Sequence, residues 1–177
     1  VYVCGGPGSG KTTFATALAH RTGTAAHHLD NIARVGGGSG PETTADERQA
    51  AIDNILGQNA WIAEGVHLGW TQPLLDSAEA IVWLDHVAWH RSSGRIMRRF
   101  VSGALAEMRR RKGRERFLRF RDYARRLREL ASAVPETRTY PFDELERALA
   151  PFADKVVRCR TQDDVTAALE SLAGDAA

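Results

Sequence analysis

Residues 5–12 read Gly5-Gly6-Pro7-Gly8-Ser9-Gly10-Lys11-Thr12, a complete G-x-x-x-x-G-K-T string. With ordinary residue frequencies such a string arises by chance in about one chain of this length in 150. Its flanks make chance less attractive still. The apolar run Val1-Tyr2-Val3-Cys4 precedes it, and the helix-forming run Thr13-Phe14-Ala15-Thr16-Ala17-Leu18-Ala19 follows. Strand, glycine turn and helix in that order predict a loop whose amides point inward around an anion. The plain alternative is a glycine turn beside a surface lysine.

The residue types suit phosphate. Glycine removes Cβ atoms and permits positive φ, so successive N–H groups can converge. The helix starting at Lys11 turns its positive end toward the same point. Lys11, expected to be exposed, brings a compact positive charge to outer phosphates. The Thr12 hydroxyl is a hard oxygen ligand of the kind Mg²⁺ takes. The expected nucleotide contacts are Gly6, Pro7, Gly8, Ser9, Gly10, Lys11, Thr12 and Thr13.

The 177 residues suit a single domain, 1–177, with a real core, and 43% apolar with 26% charged residues is ordinary for a globular protein. No apolar run is long enough to span a bilayer and no leader is visible, so a cytoplasmic protein without membrane partners is expected. Cys4 and Cys159 fall in predicted buried strands and read as core residues in a reducing compartment.

The net charge of +2 conceals an asymmetry. Residues 91–128 hold 15 Lys/Arg against 3 Asp/Glu, leaving 9 and 19 for the rest of the chain. A basic segment on an acidic body implies an anionic partner: nucleotide phosphates, nucleic acid or another chain. A solvated helical face is the bland alternative.

Strand-like runs at 1–4, 25–30, 60–64, 80–85 and 155–160 alternate with helical patterns at 11–21, 44–57, 71–77, 86–111, 114–132, 142–149 and 162–173. Thr161 suits the N-cap of the last helix. The alternation predicts an α/β, doubly wound parallel sheet, with ligands at the C-terminal strand ends. The 36–40 glycine stretch reads as a flexible loop within the domain. Three predicted strands end in an acid, Asp30, Glu64 or Asp85, at the edge carrying the glycine-rich loop. Acids there can hold Mg²⁺ through water or take a proton from an attacking hydroxyl. Each could instead cap the following helix.

The loop, Leu29-Asp30-Asn31, Trp61-Ile62-Ala63-Glu64-Gly65 and Arg95-x-x-x-Arg99 occur in the order seen in small P-loop kinases. The chain resembles the adenylate kinase/shikimate kinase-like group, and within it the small proteins labelled DNA topology modulation proteins. That resemblance implies a three-layer P-loop NTPase fold with five parallel strands in the order 2-3-1-4-5. It also implies helices on both faces, an acceptor region at about 31–59 and a basic helical lid at about 95–133. ATP and Mg²⁺ are the implied ligands. Lys11, Asp30, Glu64 and Arg99 are the implied catalytic residues, and Thr12 with Glu64 the implied metal contacts. Asp30 matches the acid that faces the acceptor and can act as base. Glu64 stands where the group more often has Asp, and its extra methylene favours a water-mediated contact. Arg95 matches the arginine that stacks on adenine, and Arg99 the one that reaches phosphates.

An acceptor-AMP signature and a lid Asp-Asp pair are both missing, so adenylate kinase activity itself is not expected. The histidines form no metal-spaced cluster, and His27 and His28 would point to opposite faces of a strand. His67 could line the acceptor pocket or lie on the surface. Trp83 reads as core; Trp70 and Trp89 read as packing residues that could border the pocket. The expectation is a kinase passing the γ-phosphoryl group of ATP to a small hydroxyl- or phosphate-bearing acceptor. The alternatives are a nucleic-acid-associated ATP-binding protein using 91–128, and a nucleotide-binding regulator without turnover.

Overall fold

The computed structural model describes residues 1–35, 40–85 and 142–174. The expected helices at 86–111 and 114–132, the lid at about 95–133 with Arg95 and Arg99, Trp89, and most of the 36–40 loop lie outside these residues.

Five strands form one all-parallel sheet: β1 (Tyr2–Gly5), β2 (Ala26–His28), β3 (Ile62–Glu64), β4 (Ile81–Leu84) and β5 (Val156–Cys159). Their order is β2-β3-β1-β4-β5, as the resemblance implied. The described helices are α1 (Lys11–Thr22), α2 (Leu29–Ala33), α3 (Ala45–Leu56), α4 (Gln72–Ser77), α5 (Phe142–Leu149) and α6 (Gln162–Gly174), with a 3₁₀ turn at Ala150–Phe152.

Period-two alternation splits each central strand between two cores. Tyr2, Cys4, Ala63, Ile81 and Trp83 pack with Leu29, Ile52, Ile55, Leu74, Leu75 and Leu145, from α2 to α5. Val3, Ile62, Val82, Leu84 and Cys159 pack with Phe14, Ala15, Leu18 and Ala168 of α1 and α6. Helices therefore cover both faces, and all four residues of both β1 and β4 are buried. Cys4 and Cys159 lie in opposite cores as free thiols. Burial pushes the Cys4 thiol up to about 12 and Cys159 up to about 11, so neither is a ready nucleophile.

Helix ends follow their local chemistry. Thr44 and Glu47 make a reciprocal capping box at α3, with Thr44 Oγ1 accepting from Glu47 N at 3.2 Å and Glu47 Oε2 from Thr44 N at 2.7 Å. Thr161 Oγ1 accepts from Asp164 N at 3.1 Å, the expected cap of α6. One boundary departs from expectation. β2 stops at His28, and Asp30 lies in the first turn of α2 rather than at a strand end. Leu29 is fully buried in the α2–α5 core, which turns the chain inward there, and an acid in a first helical turn meets the positive helix end.

Two glycines are needed for close approach. Gly5 ends β1 at φ 146°, and a Cβ there would lie 2.5 Å from the Leu84 carbonyl oxygen and 2.9 Å from Ser9 Oγ. Gly65 follows β3 at φ 149°, with a virtual Cβ 2.8 Å from Leu29 Cβ. Gly5→Ala should therefore destabilise the fold by roughly 2–4 kcal/mol, from strained φ plus overpacking. Gly69→Ala, where a Cβ meets nothing within 4 Å, is the control. Urea midpoints check this: equal midpoints for Gly5→Ala and wild type would contradict the close β1–β4 approach.

Candidate functional site

Because the sheet is parallel, the ends of β1, β2, β3 and β4 deliver Gly5, His28, Glu64 and Asp85 to one edge. The loop between β1 and α1 rises from that edge. Gly6 and Ser9 are buried, Pro7, Gly8 and Gly10 half-buried, and Thr12 and Thr13 exposed. Ser9 N donates to the Gly6 carbonyl at 3.2 Å, closing a turn. Ser9 is only 4% exposed, and its Oγ has no hydrogen-bond partner among the described residues. A buried hydroxyl left unpaired is costly, and this one sits within the glycine-rich loop, free to donate to a ligand there.

Lys11 differs from expectation. It is half-buried rather than exposed, and its ammonium donates to the Gly5 and Gly6 carbonyls at 3.0 and 3.1 Å. Burial lowers its pKa, while the Glu64 and Asp30 carboxylates oppose that fall. The charge is thus held at the loop, between the backbone of 5–6 and two acids.

Glu64 is 5% exposed, and two groups meet at one of its oxygens. Thr12 Oγ1 donates to Glu64 Oε1 at 3.0 Å, and His28 Nδ1 lies 2.8 Å from the same atom. The parallel register pairs His28 with Glu64 directly across β2 and β3. Among the described residues no group of three or more His, Cys, Asp or Glu could hold a metal. Thr12 and Glu64 instead offer two adjacent hard oxygens. That donor set fits Mg²⁺, which keeps several waters and takes few protein ligands.

Asp30 stands apart from this pair. Its side chain is 78% exposed, and Oδ1 lies 2.8 Å from His67 Nε2. The His67 hydrogen bond holds the carboxyl below the ordinary aspartate value against partial burial, with the His67, Lys11 and His28 charges assisting. His67 is half-buried, so neither a bare surface role nor a core role describes it. Trp70 packs partly against the core and meets His67 at 5.1 Å between ring centroids.

Asp85 pairs with Arg158 of β5. Its Oδ2 accepts from Arg158 Nε at 2.9 Å and Nη2 at 2.8 Å, while Nη1 donates to Glu146 at 2.7 Å. The guanidinium lies 3.8 Å from the centroid of buried Trp83. Asp85 is therefore tied across the sheet edge, away from Asp30 and Glu64 as a candidate ligand. His28 and Arg158 were not singled out as site residues by sequence reasoning. The His28–Glu64 contact follows from strand register, which no local motif encodes. The nucleic-acid alternative rests on 91–128, outside the described residues. Among the described residues no helix is long and apolar enough to cross a membrane.

No protein-family model matches the chain, and no curated protein does. Among solved structures, an unliganded sugar kinase from Janibacter sp. HTCC2649 is similar to it at 21% identity and a TM-score of 0.36. The match covers 54% of this chain and 64% of that one, so the chain spans less than two thirds of that kinase's length. A likeness at this level carries no functional weight.

Proposed function

We propose that the chain is an ATP-dependent phosphotransferase built on the P-loop arrangement, with residues 5–13 as its nucleotide site. The observation that carries the reading is the contact between Thr12 Oγ1 and buried Glu64 Oε1 at 3.0 Å, beside a lysine held at the glycine-rich turn. Oxygen ligands, a fixed cation and a glycine-rich loop thus share one sheet edge. That is the equipment phosphoryl transfer needs, since positioning and charge stabilisation are most of its catalysis.

In this reading the loop amides and Ser9 Oγ bind phosphate oxygens. Lys11 exchanges the Gly5 and Gly6 carbonyls for the outer phosphates, a short move for a flexible side chain. Thr12 and Glu64 would hold Mg²⁺, Glu64 through water, and the ion would neutralise charge on the phosphate oxygens. His28 fixes the Glu64 carboxylate from the β2 side. Asp30 faces the acceptor, a small molecule bound against about 31–59. By resemblance, Arg95 and Arg99 belong to a lid that stacks on adenine and reaches phosphate.

The test is a phosphoryl-transfer screen with γ-labelled ATP and Mg²⁺ against nucleosides, nucleotides and small metabolites. Label should move to at least one acceptor class, and an ATP analogue should protect residues 5–13 from hydrogen exchange. Absence of both ATP binding and transfer by the folded protein would overturn the reading.

A further inference from the structure

The segment leaving β3 carries a histidine fixed at several points. The His67 carbonyl accepts from Trp70 N at 3.1 Å, Thr71 N at 3.3 Å and Thr71 Oγ1 at 2.9 Å. Thr71 is fully buried, and its hydroxyl proton is committed to that carbonyl. The Tyr2 hydroxyl, 3.2 Å from Thr71 Oγ1, is therefore the donor in that contact. The ring is fixed as well. It lies against Trp70 at 5.1 Å, and the Arg48 guanidinium lies 5.9 Å from the Trp70 ring. The 65–71 turn, braced by Tyr2 of β1 through Thr71, thus fixes the His67 backbone, while the Trp70 ring packs on the imidazole, whose Nε2 meets Asp30 Oδ1 at 2.8 Å.

We propose that His67 is a positioning residue for Asp30, and that the acceptor of the phosphotransferase presents a neutral hydroxyl, not a phosphate, to the carboxylate His67 holds. This rests on the phosphotransferase reading above. An ionised carboxylate only accepts hydrogen bonds, so His67 Nε2 carries the proton and Nε2–H fixes Oδ1. Oδ2 has no hydrogen-bond partner among the described residues and is directed by the same bond. In the transfer step the acceptor oxygen bonds to the γ-phosphorus. The bond from that phosphorus to its bridging oxygen breaks, and ADP leaves with the electron pair. The hydroxyl proton passes to Asp30 Oδ2.

The choice of hydroxyl over phosphate follows from charge. A phosphate nucleophile is already ionised, needs no base, and would meet the Asp30 and Glu64 carboxylates together. Of the two arginines of 31–59, Arg34 is engaged elsewhere and Arg48 in part, its Nε buried without a hydrogen-bond partner among the described residues. Arg34 donates to the Gly40 carbonyl at 3.0 Å and to Glu42 at 3.3 Å, while Arg48 donates to the Thr43 carbonyl at 2.8 Å. A neutral hydroxyl meets no repulsion and uses the acid.

The experiment compares wild type with His67→Ala, His67→Asn and His67→Gln. Gln places an amide N–H near Nε2; Asn is too short to reach. Labelled ATP with Mg²⁺ is offered neutral polyols, sugars and nucleosides beside nucleoside monophosphates, and the Asp30 carboxyl is titrated by carbon NMR. Wild type should transfer to a neutral hydroxyl compound. His67→Ala and His67→Asn should lose about 10- to 100-fold in kcat, with KM for ATP and analogue affinity within about twofold, as expected when a reacting group is misplaced. His67→Gln should recover most of the loss. The Asp30 carboxyl should titrate at higher pH in the Ala and Asn variants and near wild type in Gln, since His28 and Lys11, the other groups facing it, are unchanged. Wild-type kcat in a folded Ala or Asn variant, an unmoved Asp30 titration, or transfer to phosphate-bearing acceptors alone would overturn the proposal. Should the Ala variant melt early, the Asn–Gln pair decides it. A wild type that neither binds ATP nor transfers removes the phosphotransferase reading, and the role of His67 in transfer with it.

Discussion

Lys11→Ala should lower phosphoryl transfer from ATP by roughly 10- to 100-fold while the protein stays folded, the loss expected for one charge-assisted contact of about 1.5–3 kcal/mol. The fold should survive because the ammonium is satisfied by two loop carbonyls rather than by packing in either core. Losing those bonds costs about 1 kcal/mol of stability. Both KM for ATP and kcat should suffer, since in the proposed site the charge would serve bound nucleotide and transition state alike. There is also a pH signature. Burial lowers the Lys11 pKa, so its charge is lost at lower pH than for an ordinary lysine. Transfer should therefore fall on the alkaline side earlier than an exposed lysine would permit, and Lys11→Arg should extend the alkaline range even where it lowers the maximum. Isothermal titration with an ATP analogue, a thermal melt and single-turnover transfer measure all three effects. A folded Lys11→Ala protein that binds and turns over ATP like wild type would contradict the nucleotide site.

Much of this site was legible in the chain because its requirements are local. The Gly5–Thr12 string dictates backbone conformations that only glycine adopts easily, and its flanking runs set strand and helix. The two-face burial of the central strands follows from apolar residues on both parities, and the sheet order follows the resemblance. What stayed hidden depends on register and on short elements. α2 has five residues, too few turns for helical periodicity to show against the preceding strand. His28 and Glu64 stand 36 positions apart, His67 and Asp30 37, and Arg158 and Asp85 73. Each pair meets only once parallel strands are in register, and parallel pairing leaves no turn signal in the sequence to fix it. The expectation that Lys11 is exposed failed for a related reason. A long side chain can satisfy its charge on nearby carbonyls, and spacing does not reveal that choice.

Asp30→Asn should lower kcat by about 10²- to 10⁴-fold, the range for loss of a general base, while ATP affinity changes little. The substitution is conservative in every respect but proton acceptance. Asn has nearly the same shape, its amide oxygen can still accept from His67 Nε2–H at the position of Oδ1, and the side chain is 78% exposed. Neither a cavity nor an unpaired buried group results, so stability should shift by no more than about 0.5 kcal/mol. In the proposed arrangement the loss should fall on kcat, because Asp30 would face the acceptor whereas the loop, Lys11, Thr12 and Glu64 would face the nucleotide. The sign of its pH behaviour also separates the roles. The carboxyl is held below the ordinary aspartate value, so the base is present through neutral pH and disappears only as pH falls through that depressed value. Wild-type kcat should therefore be flat on the mildly acidic side. The residual activity of Asp30→Asn should show no acid limb from this group at all. Single-turnover transfer at saturating acceptor, with analogue binding measured in parallel, distinguishes the outcomes. Unchanged transfer in Asp30→Asn would leave Asp30 as nothing more than an acid in the first turn of α2. An equal fall in kcat and in ATP affinity would move it to the nucleotide side of the site.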